Sequence, residues 1–233
     1  MVVTQARAAE TRQAIIAAAA EIFEQRGYGN TSLSDVIEHA QVTKGAFYYH
    51  FATKEELAAA LIEQANNAFG TALDAQLAAP SPMLEKLIRV PFVAVEMMRH
   101  DQLIRVGYAL RMAANHVTLA EGAVLEQRRA TFVGAAKTAI AEGDLKSDID
   151  PEEIGHTIWA SVTGTHVIAA ASHDNIVTRL AQVWRIILAG TVTPASLPYF
   201  TQYLNRVENQ YTQSQLDAVH EPSPRGAHPG AER

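Results

Sequence analysis

The sequence predicts an all-α protein, and three observations predict it. Apolar residues recur at helical spacing over most of the 233 residues, the β-branched alternation that marks strands is nearly absent, and Gly and Pro are sparse over long stretches. With 48% hydrophobic and 19% charged residues, the chain can bury a core and is unlike a disordered one.

Taken in order, Ile15, Ala19, Ile22 and Phe23 form one stripe of a first helix that ends near Gly27, where glycine supplies a left-handed stop. Gly29 and Asn30 make a turn. Ser32 and Asp35 have capping-box spacing, and Leu33, Val36, Ile37 and Ala40 behind them repeat as a short second helix. Val42 and Thr43 start a third short helix through Tyr49. Thr53 and Glu56 form another capping box, opening a long fourth helix to about Leu77.

Ser81-Pro82 is a helix start, and Pro91 should end or kink the helix that follows. Thr118 and Glu121 cap a helix running to about Glu142. Asp150-Pro151-Glu152-Glu153 combines an acidic N-cap, proline at the first position and acids favoured by the helix dipole. Two helices are expected behind it, near 151–171 and 175–190. Phe200, Leu204, Val207 and Tyr211 keep helical spacing for one more, and residues 219–233 read as a disordered tail.

Several classes of function are excluded or weakened at once. There is no cysteine, hence no disulfide framework, thiolate zinc site or cysteine nucleophile. No apolar run reaches the roughly 18 residues of a membrane span, and no apolar segment follows the N-terminal basic residues, so a cytoplasmic protein is expected. No Walker loop, G-x-S-x-G elbow, H-E-x-x-H pair or Rossmann fingerprint marks an enzyme. His156 and His166 lack the i, i+4 spacing of shared metal ligands. No metal and no cofactor is expected.

Residues 28–57 carry the functional signal. Two short helices joined by a tight turn are the layout of a helix-turn-helix, whose second helix presents small and polar residues to the major groove. Leu33, Val36, Ile37, Ala40, Val42, Phe47 and Phe51 supply a miniature core, leaving Thr43, Lys44, Gly45, Ala46, Tyr48, Tyr49 and His50 outside. Gross charge gives no support: the net charge is −6, and residues 1–60 hold Arg7, Arg12, Arg26, Lys44 and Lys54 against Glu10, Glu21, Glu24, Asp35, Glu38, Glu55 and Glu56. A nucleic-acid binder is expected to show a basic footprint. Only the placement of these charges can support DNA binding.

The stretch Val42-Thr-Lys-Gly-Ala-Phe-Tyr-Tyr-His-Phe51, followed by Lys54-Glu-Glu-Leu57 and preceded by the match from Ile15 to Gly27, resembles the DNA-binding signature of TetR-family repressors. The resemblance implies an N-terminal three-helix unit, residues 1–56, joined through the long fourth helix to a larger helical ligand-binding and dimerisation domain, residues 57–218. It implies that Lys44 reaches guanine O6 or N7 while Gly45 and Ala46 let the backbone approach the groove. Tyr48 and His50 would hold phosphates, Lys54 would add charge where the fourth helix begins, and Ser34, Thr43 and Tyr49 complete the DNA-facing set. Where the family usually has glycine, this chain has Gln41.

Within the family, the same stretch and Ser161-Val-Thr-Gly-Thr165 look similar to the γ-butyrolactone receptors. That likeness implies a homodimeric repressor on a palindromic operator, released by a small lipophilic, γ-butyrolactone-like inducer. Its pocket would draw on Phe92, Trp159 and Thr163, with Gln127 where those receptors commonly have a tryptophan. Pairing is expected through the helices near 151–171 and 175–190, with Ala160, Gly164, Ala169, Ile176, Leu180, Val183, Ile187 and Leu188 as the small and apolar candidates. The alternative reading is a helical small-molecule-binding protein that has lost DNA binding.

Overall fold

A computed structural model describes residues 2–113, 119–172 and 174–220. The elements in chain order are α1 (Val2–Arg26), α2 (Leu33–His39), α3 (Lys44–His50), α4 (Lys54–Ala78), α5 (Met83–His100), α6 (Gln102–Ala113), α7 (Leu119–Ala141), α8 (Pro151–Ser172), α9 (Ile176–Thr191) and α10 (Leu197–His220). Among the described residues the only strand-like pairing is an antiparallel bridge between Leu145 and Val192, so the all-α expectation holds.

Two apolar cores organise the helices. In the first, Ile15, Ile16, Ile22 and Phe23 of α1 close over Val36 of α2, Phe47 of α3, Phe51, and Leu57 and Leu61 of α4. The second gathers α5 and α7 to α10 around Trp184, Phe92, Leu84, Ile158 and Phe200, all fully or almost fully buried. Phe200, Leu204, Val207 and Tyr211 are the buried stripe of α10. α4 belongs to both halves, because its first turns close the N-terminal core while Leu77, near its end, packs on the second.

Local starts and stops follow the capping chemistry. α1 stops at Gly27, which has φ of +80°. Ser32 and Asp35 make a complete reciprocal box at α2. At α4, the Thr53 hydroxyl accepts from the Glu56 amide, while the Glu56 carboxylate reaches back to the Ala52 amide at 2.8 Å. Asp150 caps α8 by accepting from the Glu152 amide at 2.7 Å.

Three features differ from expectation or escape it. α6 was not anticipated, although Asp101 caps it by accepting from the Ile104 amide at 3.2 Å. Its Gly107 looks like a break in the sequence but is a contact: a Cβ there would lie 2.6 Å from the Ala65 Cβ and 2.7 Å from the Leu61 carbonyl oxygen of α4. Pro91 does not end α5, which continues to His100 with the proline buried inside the helix. Thr118, the side chain of Glu121 and residues 221–233 lie outside the described residues, and α10 continues past 218 to His220.

The pairing candidates need revision. Leu180, Leu188, Ile187 and Ala169 are buried within their own subunit, and Ile176 and Val183 pack against the same core. Gly164 is only partly exposed, and Ala160 alone of that set is fully outward. The helix stripe read from sequence was therefore the inward one. The outward apolar residues on α8 and α9 are Val167, Ile168 and Ile186, with Ile168 65% and Ile186 76% exposed.

Candidate DNA-binding and ligand sites

The turn between α2 and α3 sets the angle of the third helix. α2 ends at Ala40; the Gln41 amide then donates to the Glu38 carbonyl at 3.1 Å and the Val42 amide to the Ile37 carbonyl at 3.4 Å. This pair of bonds is a Schellman motif, which needs a left-handed residue after the cap. Gln41 fills that position with φ of 53°, so the backbone geometry that favours glycine is held here by a residue with a side chain. Val42 and Ile37, brought together by the motif, both pack on the first core.

On α3, Thr43 is the N-cap, its hydroxyl accepting from the Ala46 amide at 3.2 Å. Phe47 anchors the helix with no exposed surface, and this fixes what faces out. Thr43, Lys44, Gly45, Tyr48 and Tyr49 are exposed, Tyr49 to 78%, while Ala46 and His50 are half-exposed. Ser34 is exposed on α2. The Lys44 ammonium lies 5.9 Å from the centre of the Tyr48 ring, so the cation and the phenol form one projecting group.

Lys54 is placed elsewhere. Its ammonium donates to the carbonyls of Tyr28 and Thr31, each at 2.8 Å, and sits 4.3 Å from the Tyr28 ring centre. A half-buried cation with two carbonyl partners and an aromatic face ties the turn after α1 to the start of α4. Lys54 is thus a brace beneath the recognition helix, and not a free charge beside it.

The second site is a cavity of about 140 Å³ between α4, α5, α6, α7 and α8. Trp159 and Thr163 of α8 line it, as expected, beside Phe69, Tyr108, Met97 and Phe132. Phe92 does not: it is fully buried one position beyond the lining residue Pro91 and stacks on Tyr211, with centroids 5.5 Å apart. Gln127 is exposed and faces a separate surface hollow with Asn66, Asn67 and Asp74. Helical rotation explains both errors, since a neighbour in sequence is turned by about 100°.

Sequence reasoning missed the other polar members of this cavity: Asn66 and Gln76 on α4, Tyr108 and Arg111 on α6, Arg128 on α7 and His166 on α8. Arg128 donates to the Asn66 carbonyl at 3.0 Å, and burial draws its guanidinium below the ordinary arginine range, opposed by Asp74 and reinforced by Arg111. His166 is almost entirely buried. Burial pushes its imidazole down to about 4, against a hydrogen bond to the Pro91 carbonyl that favours the proton. Its Nε2 is buried without a hydrogen-bond partner. A sequence signal existed for Arg128, which shares a helix face with Val124, Leu125 and Phe132, all lining residues.

α6 connects the two sites. Its Tyr108 and Arg111 line the cavity, while Arg105 and Gln102 at its other end donate to the Glu24 carboxylate of α1 at 2.6 and 2.5 Å. Val106 between them belongs to the N-terminal core. No helix among the described residues is long and apolar enough to cross a membrane, and no group of metal-ligating side chains occurs among them.

Comparison with known proteins agrees with this division. Residues 15–61 match the model of bacterial regulatory proteins of the tetR family, and residues 81–193 match the tetracyclin repressor-like C-terminal domain. A crystal structure of a γ-butyrolactone receptor, an ArpA-like protein, is 32% identical with a TM-score of 0.72, covering 88% of this chain and 99% of that one. CprB from Streptomyces coelicolor, solved with its biological operator sequence, is 32% identical with a TM-score of 0.70 over 88% of this chain and 99% of its own. The A-factor receptor protein of Streptomyces griseus is 29% identical over 84% of this chain and 68% of that protein. The chain belongs to the TetR family of bacterial regulatory proteins, and is a DNA-binding transcriptional repressor with a ligand-responsive helical domain.

Proposed function

We propose that this protein is a homodimeric repressor on a near-palindromic operator, released when a small lipophilic, γ-butyrolactone-like ligand occupies the Trp159 and Thr163 cavity. The observation that carries the reading is α6, one rigid helix that lines the cavity with Tyr108 and Arg111 and holds the DNA-binding unit through Arg105. A cavity of about 140 Å³ is of the size that admits benzene. A larger ligand must spread the helices around it. Because Gly107 of α6 is already in contact with α4, the two helices move as a pair and carry α1 with them. Ligand releases operator only if it binds the spread state more tightly.

On the DNA, Lys44 and the small residues Gly45 and Ala46 would meet base edges, and Ser34, Thr43, Tyr48, Tyr49 and His50 would meet the backbone. Residue placement outweighs the negative total charge. Two recognition helices related by a dyad then read the two halves of the operator. A protein acting on chromosomal DNA in a bacterium works in the cytoplasm, and we read it as a regulator and not an enzyme, in keeping with its relatives.

Gel shifts on a randomised operator test the DNA half. Lys44→Ala should weaken binding and change base preference, whereas Tyr48→Phe should weaken all sequences alike. Parental behaviour in both variants would remove this face from the interface. For the cavity, Thr163→Val should raise the inducer concentration needed for release without altering operator affinity.

A further inference from the structure

The cavity has a neighbour. Between α4 and α7 lies the surface hollow, of about 360 Å³, and Asn66, Leu73, Val124 and Arg128 line the hollow and the cavity alike. These four residues form a wall with the apolar chamber on one side and the hollow on the other. Beyond the wall the lining turns polar, with Asn67, Thr71, Asp74, Gln127 and Thr131.

Arg128 is the movable part of that wall. Leu73 is buried and Val124 is short and stiff, whereas an arginine side chain has many rotamers. Its guanidinium donates to the Asn66 carbonyl at 3.0 Å, and among the described residues this is the one hydrogen bond between α4 and α7. Gly70, one turn further along α4, leaves room for it, since a Cβ there would lie 3.4 Å from Arg128 Nη2. A single bond to a neutral carbonyl is a modest hold. Asp74, exposed on the lining of the hollow, attracts the same guanidinium. An arginine that leaves the carbonyl therefore has a carboxylate to turn to on the solvent side.

We infer that the hollow is the port through which the inducer reaches the cavity, and that Arg128 is its latch, closed on the Asn66 carbonyl and open on the Asp74 carboxylate. This rests on the reading of the cavity as the inducer site. A ligand larger than the cavity must spread its helices, and α4 moves with α6 because Gly107 holds the two in contact. The seam that opens is then the one between α4 and α7, which the Arg128 bond spans. One step admits the ligand and frees α4. A latch of this kind sets the rates of entry and exit together and leaves the binding equilibrium as it was.

Stopped-flow fluorescence tests the port with γ-dodecalactone as the probe, read through Trp159 on the cavity wall. In Asp74→Ala, association and dissociation should both slow by about two- to fivefold, the worth of an exposed ion pair. Kd should not change, because Asp74 lines the hollow and not the cavity. The chain has no cysteine, so Thr71→Cys, exposed at the hollow, takes a single bulky maleimide. The labelled protein should exchange the probe on the order of tenfold more slowly in both directions, while the unlabelled variant keeps the parental rates. Arg128→Ala should speed both steps. Parental rates in the labelled protein and in Asp74→Ala, or a changed Kd with unchanged association, would overturn the port and leave the lipophilic-inducer reading standing. Absence of probe binding to the parental protein, by fluorescence and by calorimetry, would overturn that reading and the port with it.

Discussion

The Arg105 guanidinium donates to the Glu24 carboxylate at 2.6 Å, joining the helix that lines the cavity to the first helix of the DNA-binding unit. This bond holds the Glu24 carboxyl below its usual range, with Gln102 assisting and burial opposing. The two side chains are 42% and 34% exposed, so the pair contributes little to stability, well under about 1 kcal/mol. Its value lies in coupling. Glu24→Gln is expected to leave folding and operator affinity near the parent and to raise the inducer concentration for release on the order of 2- to 30-fold. Thermal melts and a release titration check the two halves of that statement.

Gly107→Ala tests the packing on which the coupling depends. The added methyl would meet Ala65 Cβ at 2.6 Å and the Leu61 carbonyl at 2.7 Å, forcing α6 away from α4. The expected loss is about 1–3 kcal/mol by denaturant unfolding. Adding Ala65→Gly removes one clash and leaves the backbone one, so rescue should be partial. Full rescue would show that the helices do not approach as closely as described.

Much of this was legible in the sequence, and the failures share one cause. Caps and stops are local chemistry, so Ser32, Thr43, Thr53 and Asp150 marked their helices correctly, and Gln41 stood out because the resembled family usually has glycine there. Facing is not local. Phe92 and Gln127 were assigned to the cavity by the likeness to the γ-butyrolactone receptors, and Leu180 and Ile187 to the pairing surface because periodicity shows that a helix has an apolar stripe without showing which neighbour covers it. α6 was overlooked since Gly107 reads as a breaker until its partner on α4 is known. His166 became recognisable only when the fold placed it on the cavity wall.

Gln41 gives a direct stability test. A residue with a Cβ held at φ of 53° carries roughly 1–2 kcal/mol of local strain, while glycine loses more backbone freedom on folding. Gln41→Gly should therefore stabilise modestly, by about 0.5–1 kcal/mol, and Gln41→Val should destabilise by more than that. Chemical unfolding of the three proteins decides, and a destabilised glycine variant would contradict the left-handed turn.

His166 predicts a pH dependence with a definite sign. Its imidazole titrates near 6.5 when free and at about 4 when buried, so between these values the unfolded chain binds the extra proton. Stability is fully present above pH 6.5, falls as the pH drops towards 4 and levels off below it, a total of about 3 kcal/mol. In His166→Gln this component should vanish from the profile of unfolding free energy against pH. An unchanged slope would mean that His166 is not buried neutral.

The outward apolar pair on α8 and α9 should be the centre of the dimer. Ile168→Glu and Ile186→Glu each replace a projecting apolar side chain that pairing would bury twice over, once per subunit. Sedimentation should show at least a tenfold weaker dimer, from about 1.5–3 kcal/mol lost per buried isoleucine, and operator affinity should fall with it. A dimer indifferent to both changes would move the interface off these helices.

Occupancy of the cavity is expected to change the spacing of the two recognition helices. The chain has no cysteine, so a single Glu38→Cys on the exposed side of α2 carries one spin label per subunit, and the distance between the two labels can be measured in the intact dimer. Without ligand and on operator, one narrow distance is expected, consistent with recognition helices set about 34–36 Å apart, one turn of DNA. Saturating inducer should shift it by several ångströms, and Glu24→Gln should reduce that shift. The same distance with and without an inducer that releases operator would mean that release does not come from a change in helix spacing.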